Sequence, residues 1–137
     1  MSEWLYQGQI FDESKIKDHI GFVYVILDTL TGKKYLGQKK FIRTPKNSKG
    51  KRVVKQSDWK KYYSSSLELQ KAVAEKGSEH FEREILHLCH TKAEMNYLEL
   101  KEQVLRDVLL SDDYYNAYIG GRINKKHLTK YMIKLRT

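Results

Sequence analysis

Two tyrosines stand where their phenols could meet in one site. Tyr24 lies in a run of β-branched and aromatic residues, GFVYVIL, and Tyr35 follows eleven residues later. The intervening DTLTG has the composition of a turn, so residues 21–38 are predicted to form a β-hairpin. Cross-strand neighbours in a hairpin approach to about 5 Å at Cβ, close enough for two phenols to act together.

Acid–base chemistry by such a pair needs help from a positive charge. A phenol has a pKa of about 10 and is a poor base at neutral pH, unless cations or a metal-bound water favour the phenolate or polarise the water directly. Lys39 and Lys40 follow the second strand, and Gly37 lets a backbone or a phosphate approach closely. The same tyrosines would also fit a structural role as amphipathic core residues, and their spacing alone leaves both interpretations open.

Positive charge is concentrated in two segments of the chain. Residues 33–61 carry twelve basic side chains and one acidic one, and residues 122–137 carry six basic and none acidic, within a net charge of +9. A solvated lysine-rich face is the simplest explanation. Two separate basic blocks with aromatic residues among them favour a polyanion, because cations displace the counterions of phosphates. Neither block has the apolar face of a membrane-surface helix, so nucleic acid is the predicted partner and a membrane is not.

Length and composition exclude several other classes of protein. The 137 residues correspond to about one domain, with a single cysteine and no apolar run of about 18 residues. The N-terminus does not resemble a signal peptide, and a lone cysteine suits a reducing compartment, so a cytoplasmic location is expected. Phosphate-binding glycine loops, GxSxG and HExxH motifs are missing from the sequence, and no small-molecule cofactor is expected.

The elements that must position the tyrosines follow the order β, β, α, β, α. Ser65 and Glu68 fit a capping box for a helix that ends at Gly77, and Thr91 with Glu94 fits a second one. Between these helices, residues 80–88 alternate like a strand, with Phe81, Arg83, Ile85 and His87 on one face. Residues 1–18 are predicted to be a polar arm, 19–121 one α/β or α+β domain, and 122–137 a basic tail. The segment 40–56 is predicted to be a mobile basic loop.

Several short motifs in order resemble those of the GIY-YIG nucleases. Phe22-Val23-Tyr24 and Tyr35-Leu36-Gly37 are similar to the family's paired signature, with Gly21 one place early in the first triplet. Residues 62–66, YYSSS, resemble a motif common in phage-encoded members. The resemblance covers about residues 20–120 and continues through Leu69-Gln70-Lys71, Lys76-Gly77, the strand 81–86, the helix around Glu102, and Tyr115-Asn116.

This resemblance, to the phage-type and homing-endonuclease-like members, implies a fold and an activity. The fold would be a small three-stranded antiparallel sheet flanked by helices, and the activity hydrolysis of DNA with one Mg²⁺ or Mn²⁺ ion. Tyr24 would be the general base or its helper, and Tyr35 would orient the water or a phosphate oxygen. Glu102 would be the sole protein ligand of the metal, and Asn116 would hold the site together by hydrogen bonds near the metal or its glutamate.

Three assignments within the resemblance have competing candidates. Glu99 competes with Glu102 as the metal ligand, and Glu102 is preferred because Gln103-Val104-Leu105 follows it as the family's amide, apolar, apolar run would. Arg52 is the catalytic arginine that fits best when aligned backward from Leu69, and Arg43 is the second candidate. The family's histidine one turn later is missing here, and Lys55, Tyr62 or Tyr63 could substitute for it.

The sequence therefore predicts a metal-dependent, GIY-YIG-like DNA endonuclease, in the host-cell cytoplasm if it is phage-encoded. A homodimer is one form that the protein could take. The alternatives are a catalytically inactive basic module that binds DNA or RNA, and a structural protein that has kept only the fold. The side chains expected to contact nucleic acid are Lys39, Lys40, Arg43, Lys51, Lys55, Lys130 and Lys134.

Overall fold

The computed structural model describes residues 2–120, 123–128 and 130–131. Two α-helices lie within this part of the chain, α1 (Leu67–Lys76) and α2 (Lys92–Leu105). The strands are β1 (Trp4–Tyr6), β2 (Gln9–Ile10), β3 (Gly21–Asp28), β4 (Lys34–Lys40), β5 (Ile42–Arg43), β6 (Lys55–Gln56), β7 (Phe81–Cys89), β8 (Tyr118–Ile119) and β9 (Ile123–Asn124).

The central sheet has five strands in the order β2-β1-β7-β3-β4, and the prediction of a three-stranded antiparallel sheet is corrected. β7, β3 and β4 form the predicted antiparallel trio. The additional strands come from the segment predicted to be an arm: β1 lies parallel to β7, and β2 pairs antiparallel with β1. Trp4 anchors this segment, because its buried indole donates a hydrogen bond to the Trp59 carbonyl at 2.8 Å and packs edge-on against Phe22.

The predicted hairpin is present as β3 and β4. Its register places Tyr24 opposite Gly37 and Ile26 opposite Tyr35. At the turn, Gly32 has a φ of +79°, a conformation that glycine adopts without steric cost, and its amide donates to the Asp28 carbonyl. Because residues two apart on a strand share a face, Tyr35 and Gly37 lie on the same side as Tyr24.

A bulge in β7 changes which face its later residues occupy. Val23 pairs with His87 but Tyr24 pairs with Ile85, so one extra residue lies on β7. Leu88 therefore packs in the aromatic cluster with Ile85, and His87 contacts Glu102 on α2. The predicted alternation is confirmed up to Ile85 and wrong for His87.

The two faces of the sheet carry different cores. On the Tyr24 face, an aromatic cluster packs beneath α1 and the segment that precedes it, and includes Trp4, Phe11, Phe22, Phe41, Trp59, Leu69 and Phe81. On the other face, Met95 and Leu98 of α2 pack against Val23, Leu36 and Cys89. β4 lies at one end of the sheet, so the helices of both faces can reach its outer edge.

The basic segment 40–56 contains an antiparallel ribbon. β5 pairs with β6, and Lys46 forms an isolated bridge with Arg52. Phe41 is fully buried at the base of the ribbon, where its carbonyl accepts a hydrogen bond from the Ser57 amide. The predicted loop is therefore corrected to a paired ribbon that packs through Phe41, and its cations are exposed.

Near the C-terminus, β8 and β9 form a two-stranded ribbon, and Ile119 packs with Val108 and Leu109. Lys130 is exposed, while Lys134 lies outside the described residues. None of the described helices is both long and apolar enough to cross a membrane.

A buried carboxylate ties the hairpin to α1 and to the segment after α2. Asp28 is fully buried and accepts hydrogen bonds from the Lys76 ammonium at 2.6 Å and the Tyr115 hydroxyl at 3.0 Å. Burial by itself would raise the pKa of Asp28, but the hydrogen bonds from Lys76 and Tyr115 outweigh it and lower the pKa from 3.8 to about 2. Since Tyr115 precedes Asn116, this contact also positions one wall of the cavity described below.

We expect Asp28→Asn to lower the free energy of unfolding by about 2 kcal/mol at pH 7, because a pKa shift of this size corresponds to about that energy. A carboxylate with a lowered pKa stabilises the fold above pH 3.8, and this contribution is lost as the pH falls toward 2. Urea unfolding at pH 7 and pH 3 measures both effects. The exposed Asp112→Asn is the control, and equal stability of the two variants would contradict the account.

Candidate functional site

A cavity of about 430 Å³ opens along the outer edge of β4. Its walls come from β3, β4, α2, the start of α1 and the segment that carries Asn116. The polar side chains that line it belong to Tyr24, Tyr35, Gln38, Ser65, Ser66, Glu68, Glu99, Gln103, Tyr115, Asn116 and Tyr118.

The two tyrosines of the hairpin meet at this cavity. Their ring centroids are 6.2 Å apart, with the ring planes inclined by 32°. Tyr24 is only 1% exposed, and the Tyr35 hydroxyl lies 3.4 Å from the Ser65 hydroxyl. The two phenol rings therefore lie side by side at one cavity.

Gly37 makes the approach of the tyrosines possible. A Cβ at this position would lie 2.7 Å from the Tyr24 hydroxyl and 2.9 Å from Cε1 of Tyr35. Both separations are too short for carbon contacts, so any larger residue would displace one ring or the strand. The glycine of the YLG triplet is therefore required by the packing of the two rings.

Both phenols are protonated at neutral pH. Burial raises the pKa of Tyr24 well above 10, and its neighbours Tyr62 and Tyr35 add to the effect. Burial also raises the pKa of Tyr35, against a smaller opposing effect of its hydrogen bond with Ser65. In this state each phenol can donate a hydrogen bond, and each could act as a base only where a positive charge favours its phenolate.

Glu99 brings a carboxylate into the same cavity from α2. It accepts a hydrogen bond from Nε2 of Gln38 at 3.1 Å, and Lys92 donates to Oε1 of the same glutamine at 2.8 Å. Burial raises the pKa of Glu99, and Gln38 and Lys92 oppose that rise. The charge of Glu99 is close enough to raise the pKa of both Tyr24 and Tyr35. Glu68 also lines the cavity, but it is exposed and paired with Lys33.

Glu102, the preferred candidate for the metal ligand, does not line this cavity. Its carboxylate lies 2.9 Å from Nε2 of His87 and 2.9 Å from Nε of Arg106. Burial would raise the pKa of Glu102, but the hydrogen bonds with His87 and Arg106 lower it. Residues three apart on a helix differ by about 60° in direction, and this difference turns Glu99 to the sheet edge and Glu102 beneath the sheet. The structure thus places the competing candidate, Glu99, with the tyrosines.

Asn116 holds β4 in place through the backbone of Leu36. Its side-chain amide accepts a hydrogen bond from the Leu36 N–H at 3.0 Å and donates to the Leu36 carbonyl at 2.8 Å. Gln103, also buried, donates to the same carbonyl at 3.4 Å. Asn116 thus clamps the strand between Tyr35 and Gly37, and it lines the same cavity as Glu99.

The predicted cations are not part of the cavity wall. No lysine or arginine of the described chain lines it. Arg52 is exposed on the ribbon and donates to the Thr44 carbonyl at 3.1 Å, and Arg43 is exposed on β5. Lys40, Lys51 and Lys55 are exposed as well. Lys39 lies 4.1 Å from the centroid of the Tyr62 ring and 2.6 Å from the Asp58 carboxylate.

Sequence reasoning missed Gln38 and Gln103 as residues of the site. A helical pattern could have found Gln103, because Lys92, Asn96, Glu99 and Gln103 are spaced as one polar stripe of α2. Gln38 meets this stripe by donating to both Asn96 and Glu99. The same stripe would have favoured Glu99 over Glu102.

A family model described as "Putative endonuclease segE, GIY-YIG domain" matches residues 4–119. The chain belongs to the GIY-YIG nuclease family. The match begins at the first residue of β1 and ends at the last residue of β8, so the two strands at the N-terminus lie within the GIY-YIG domain. No curated protein and no solved structure matches the chain.

The contact of Gly37 with the GIY-YIG tyrosines can be tested by a double-mutant cycle. We expect Gly37→Ala to lower the free energy of unfolding by about 1–3 kcal/mol, because its methyl group overlaps the Tyr24 hydroxyl. Tyr24→Phe removes that oxygen and should recover part of the loss in the double variant. Chemical unfolding of the four proteins gives the coupling energy. Strictly additive effects would show that the two residues do not touch.

Proposed function

We propose that this protein is an endonuclease that hydrolyses DNA phosphodiester bonds, with one divalent ion, in the cavity beside β4. The observation that carries the proposal is the meeting of Tyr24, Tyr35 and Glu99 in one cavity of a GIY-YIG domain. Each comes from a different strand or helix, so packing of the whole fold is required to assemble them.

The residues of the cavity fit a magnesium or manganese ion. Such ions prefer oxygen ligands, keep several waters, and often use one or two carboxylates together with substrate phosphates. Glu99 offers one partly buried carboxylate that faces an open cavity, and a cation would favour its ionised form against the effect of burial. When bound, the ion would stabilise negative charge on the phosphate and on the leaving 3′-oxygen.

The side chains of the protein would orient the reactants. The Tyr24 hydroxyl, whose ring packs edge-on against Tyr62, would hold the attacking water, and its phenolate would take the proton of that water. Tyr35 is protonated and would donate a hydrogen bond to a phosphate oxygen. Asn116 and Gln103 would keep Tyr35 in place through their hydrogen bonds to Leu36.

The basic ribbon would bind the DNA backbone next to the cavity. It continues directly from β4, and its exposed cations Arg43, Lys46, Lys49, Lys51, Arg52 and Lys55 can contact phosphates. Arg52 would reach the scissile phosphate by movement of the ribbon on DNA binding, and Arg43 and Lys39 are the alternatives.

An inactive DNA-binding module is the second candidate function, since no cation of the described chain lines the cavity. Cleavage of plasmid DNA that a chelator abolishes would distinguish the two.

The positions of Glu99 and Glu102 allow a matched test, since both lie on α2 and each can be changed to glutamine. Glu99→Gln should lower the rate of plasmid nicking in Mg²⁺ by at least about a hundredfold, because it removes the proposed metal ligand. Glu102→Gln should keep the rate within about tenfold and instead lower stability, because it weakens the contacts with His87 and Arg106. DNA binding should persist in both. The opposite pattern of rates would assign the metal to Glu102.

The raised pKa of Tyr24 predicts how the rate of DNA cleavage should depend on pH. If the Tyr24 phenolate takes the proton, the rate of cleavage should rise with pH through the neutral and mildly alkaline range, because the phenolate becomes more abundant as the pH approaches the raised pKa. Tyr24→Phe should lower the rate by roughly a hundredfold or more and flatten this rise. The exposed Tyr97→Phe is the control. An unchanged rate and profile in Tyr24→Phe would return this residue to a purely structural role.

A further inference from the structure

A cluster of three side chains with potential metal ligands lies at the opposite end of β3 from the hairpin turn. Asp18 and His19 precede β3, and His90 directly follows β7. One ligand atom from each of the three residues lies within 4.8 Å of the others. None of these residues lines the cavity beside β4.

The three side chains converge on one volume. Nε2 of His90 is 3.5 Å from Oδ2 of Asp18, and Nδ1 of His19 is 3.9 Å from Oδ1 of Asp18. The centroids of the two imidazole rings are 4.4 Å apart. Zinc binds nitrogen and oxygen at about 2.0–2.2 Å, so ligand atoms within 4.8 Å of one another need to move only a short distance to surround one ion.

The surroundings already orient both imidazoles. Nδ1 of His19 lies 3.0 Å from the Ile16 carbonyl. In the neutral ring this nitrogen donates to that carbonyl, and the lone pair that could bind a metal is then on Nε2. Nδ1 of His90 faces the Glu94 carboxylate at 3.9 Å, while its Nε2 faces Asp18. Histidines that bind metals usually have their other ring nitrogen directed at a carbonyl or a carboxylate in this way.

The backbone holds the two ligand-bearing segments together. The Ile20 amide donates to the Cys89 carbonyl at 2.8 Å, next in sequence to His19 and His90 respectively. His19 is further fixed by its own amide, which donates to the Ile16 carbonyl at 3.1 Å. The arrangement of the ligands therefore does not depend on a flexible loop closing around the ion.

From these observations we propose that Asp18, His19 and His90 bind one divalent transition-metal ion of the zinc class. Two imidazoles and one carboxylate suit Zn²⁺ and Co²⁺, whereas Mg²⁺ prefers a set made only of oxygen atoms. The bound ion would clip the start of β3, the strand that carries Tyr24, to the end of β7. It stabilises the frame of the nuclease site and takes no part in the reaction.

Cobalt titration of the metal-free protein tests the proposal. We expect about one equivalent of Co²⁺ to bind with visible d–d absorption, and Zn²⁺ to displace it and raise the Tm. His90→Asn and Asp18→Asn should weaken Co²⁺ binding by at least about tenfold. The control His80→Asn should leave it unchanged, as His80 lies at the other end of β7. The proposal would be overturned if the wild type gave no saturable cobalt signal, or if His90→Asn bound Co²⁺ as tightly as the wild type does.

Two further measurements separate this site from the nuclease site. Glu99→Gln should bind Co²⁺ normally, and His90→Asn should still cleave DNA in Mg²⁺, since the two sites share no residue. Without metal, His90→Asn should unfold at the same Tm as the wild type, because His90 is exposed. If His90→Asn is unstable without metal, the Tm of the wild type and of Asp18→Asn is measured with and without Zn²⁺ instead. A rise in Tm with Zn²⁺ in the wild type that Asp18→Asn abolishes would support the site. If Zn²⁺ does not raise the Tm of the wild type, the site is refuted.

Discussion

The close packing of Tyr24 and Tyr35 around Gly37 is the constraint on which the rest of the site depends. Antiparallel pairing of β3 and β4 sets Tyr24 opposite the glycine, and the missing side chain leaves room for both rings. This packing buries the phenols, and burial in turn raises the pKa of each. One backbone register therefore determines the position and the protonation state of the two tyrosines.

The position of β4 at the end of the sheet explains how residues from both faces share one cavity. An interior strand would separate Tyr24 on one face from α2 on the other, but the outer edge of β4 lets Glu99 reach around to the tyrosines. The cost is a strand with unpaired backbone groups, which Asn116 and Gln103 satisfy at Leu36. The buried Asp28–Tyr115 contact then holds Asn116 against that edge.

Local sequence patterns predicted the hairpin, both helices, the Thr91 cap of α2 and the pairing of the tyrosines, because these depend on turns, caps and alternation along a short stretch of chain. The predicted cap of α1 was wrong by one residue: Ser66, not Ser65, accepts the hydrogen bond from the Leu69 amide. The remaining features depend on contacts between distant residues. Trp4 forms a core contact with Trp59 that the polar composition of residues 1–18 concealed, and the bulge in β7 moved His87 to the other face.

The choice between Glu99 and Glu102 depends on how α2 is oriented relative to the sheet edge. The order of motifs along the chain carries no information about that orientation. The position of Arg52 depends on the ribbon within residues 40–56, where this side chain bonds to the Thr44 carbonyl and lies outside the cavity.

The central claim is that the cavity beside β4, and not the Glu102 side of α2, holds the catalytic ion. The most direct measurement is a crystal structure of the protein with Mn²⁺ and a non-cleavable DNA, analysed for the anomalous scattering of manganese. The account predicts a manganese peak at the Glu99 carboxylate, with a phosphate of the DNA between it and the hydroxyls of Tyr24 and Tyr35. A peak at Glu102, or DNA bound with its phosphates away from this cavity, would contradict it.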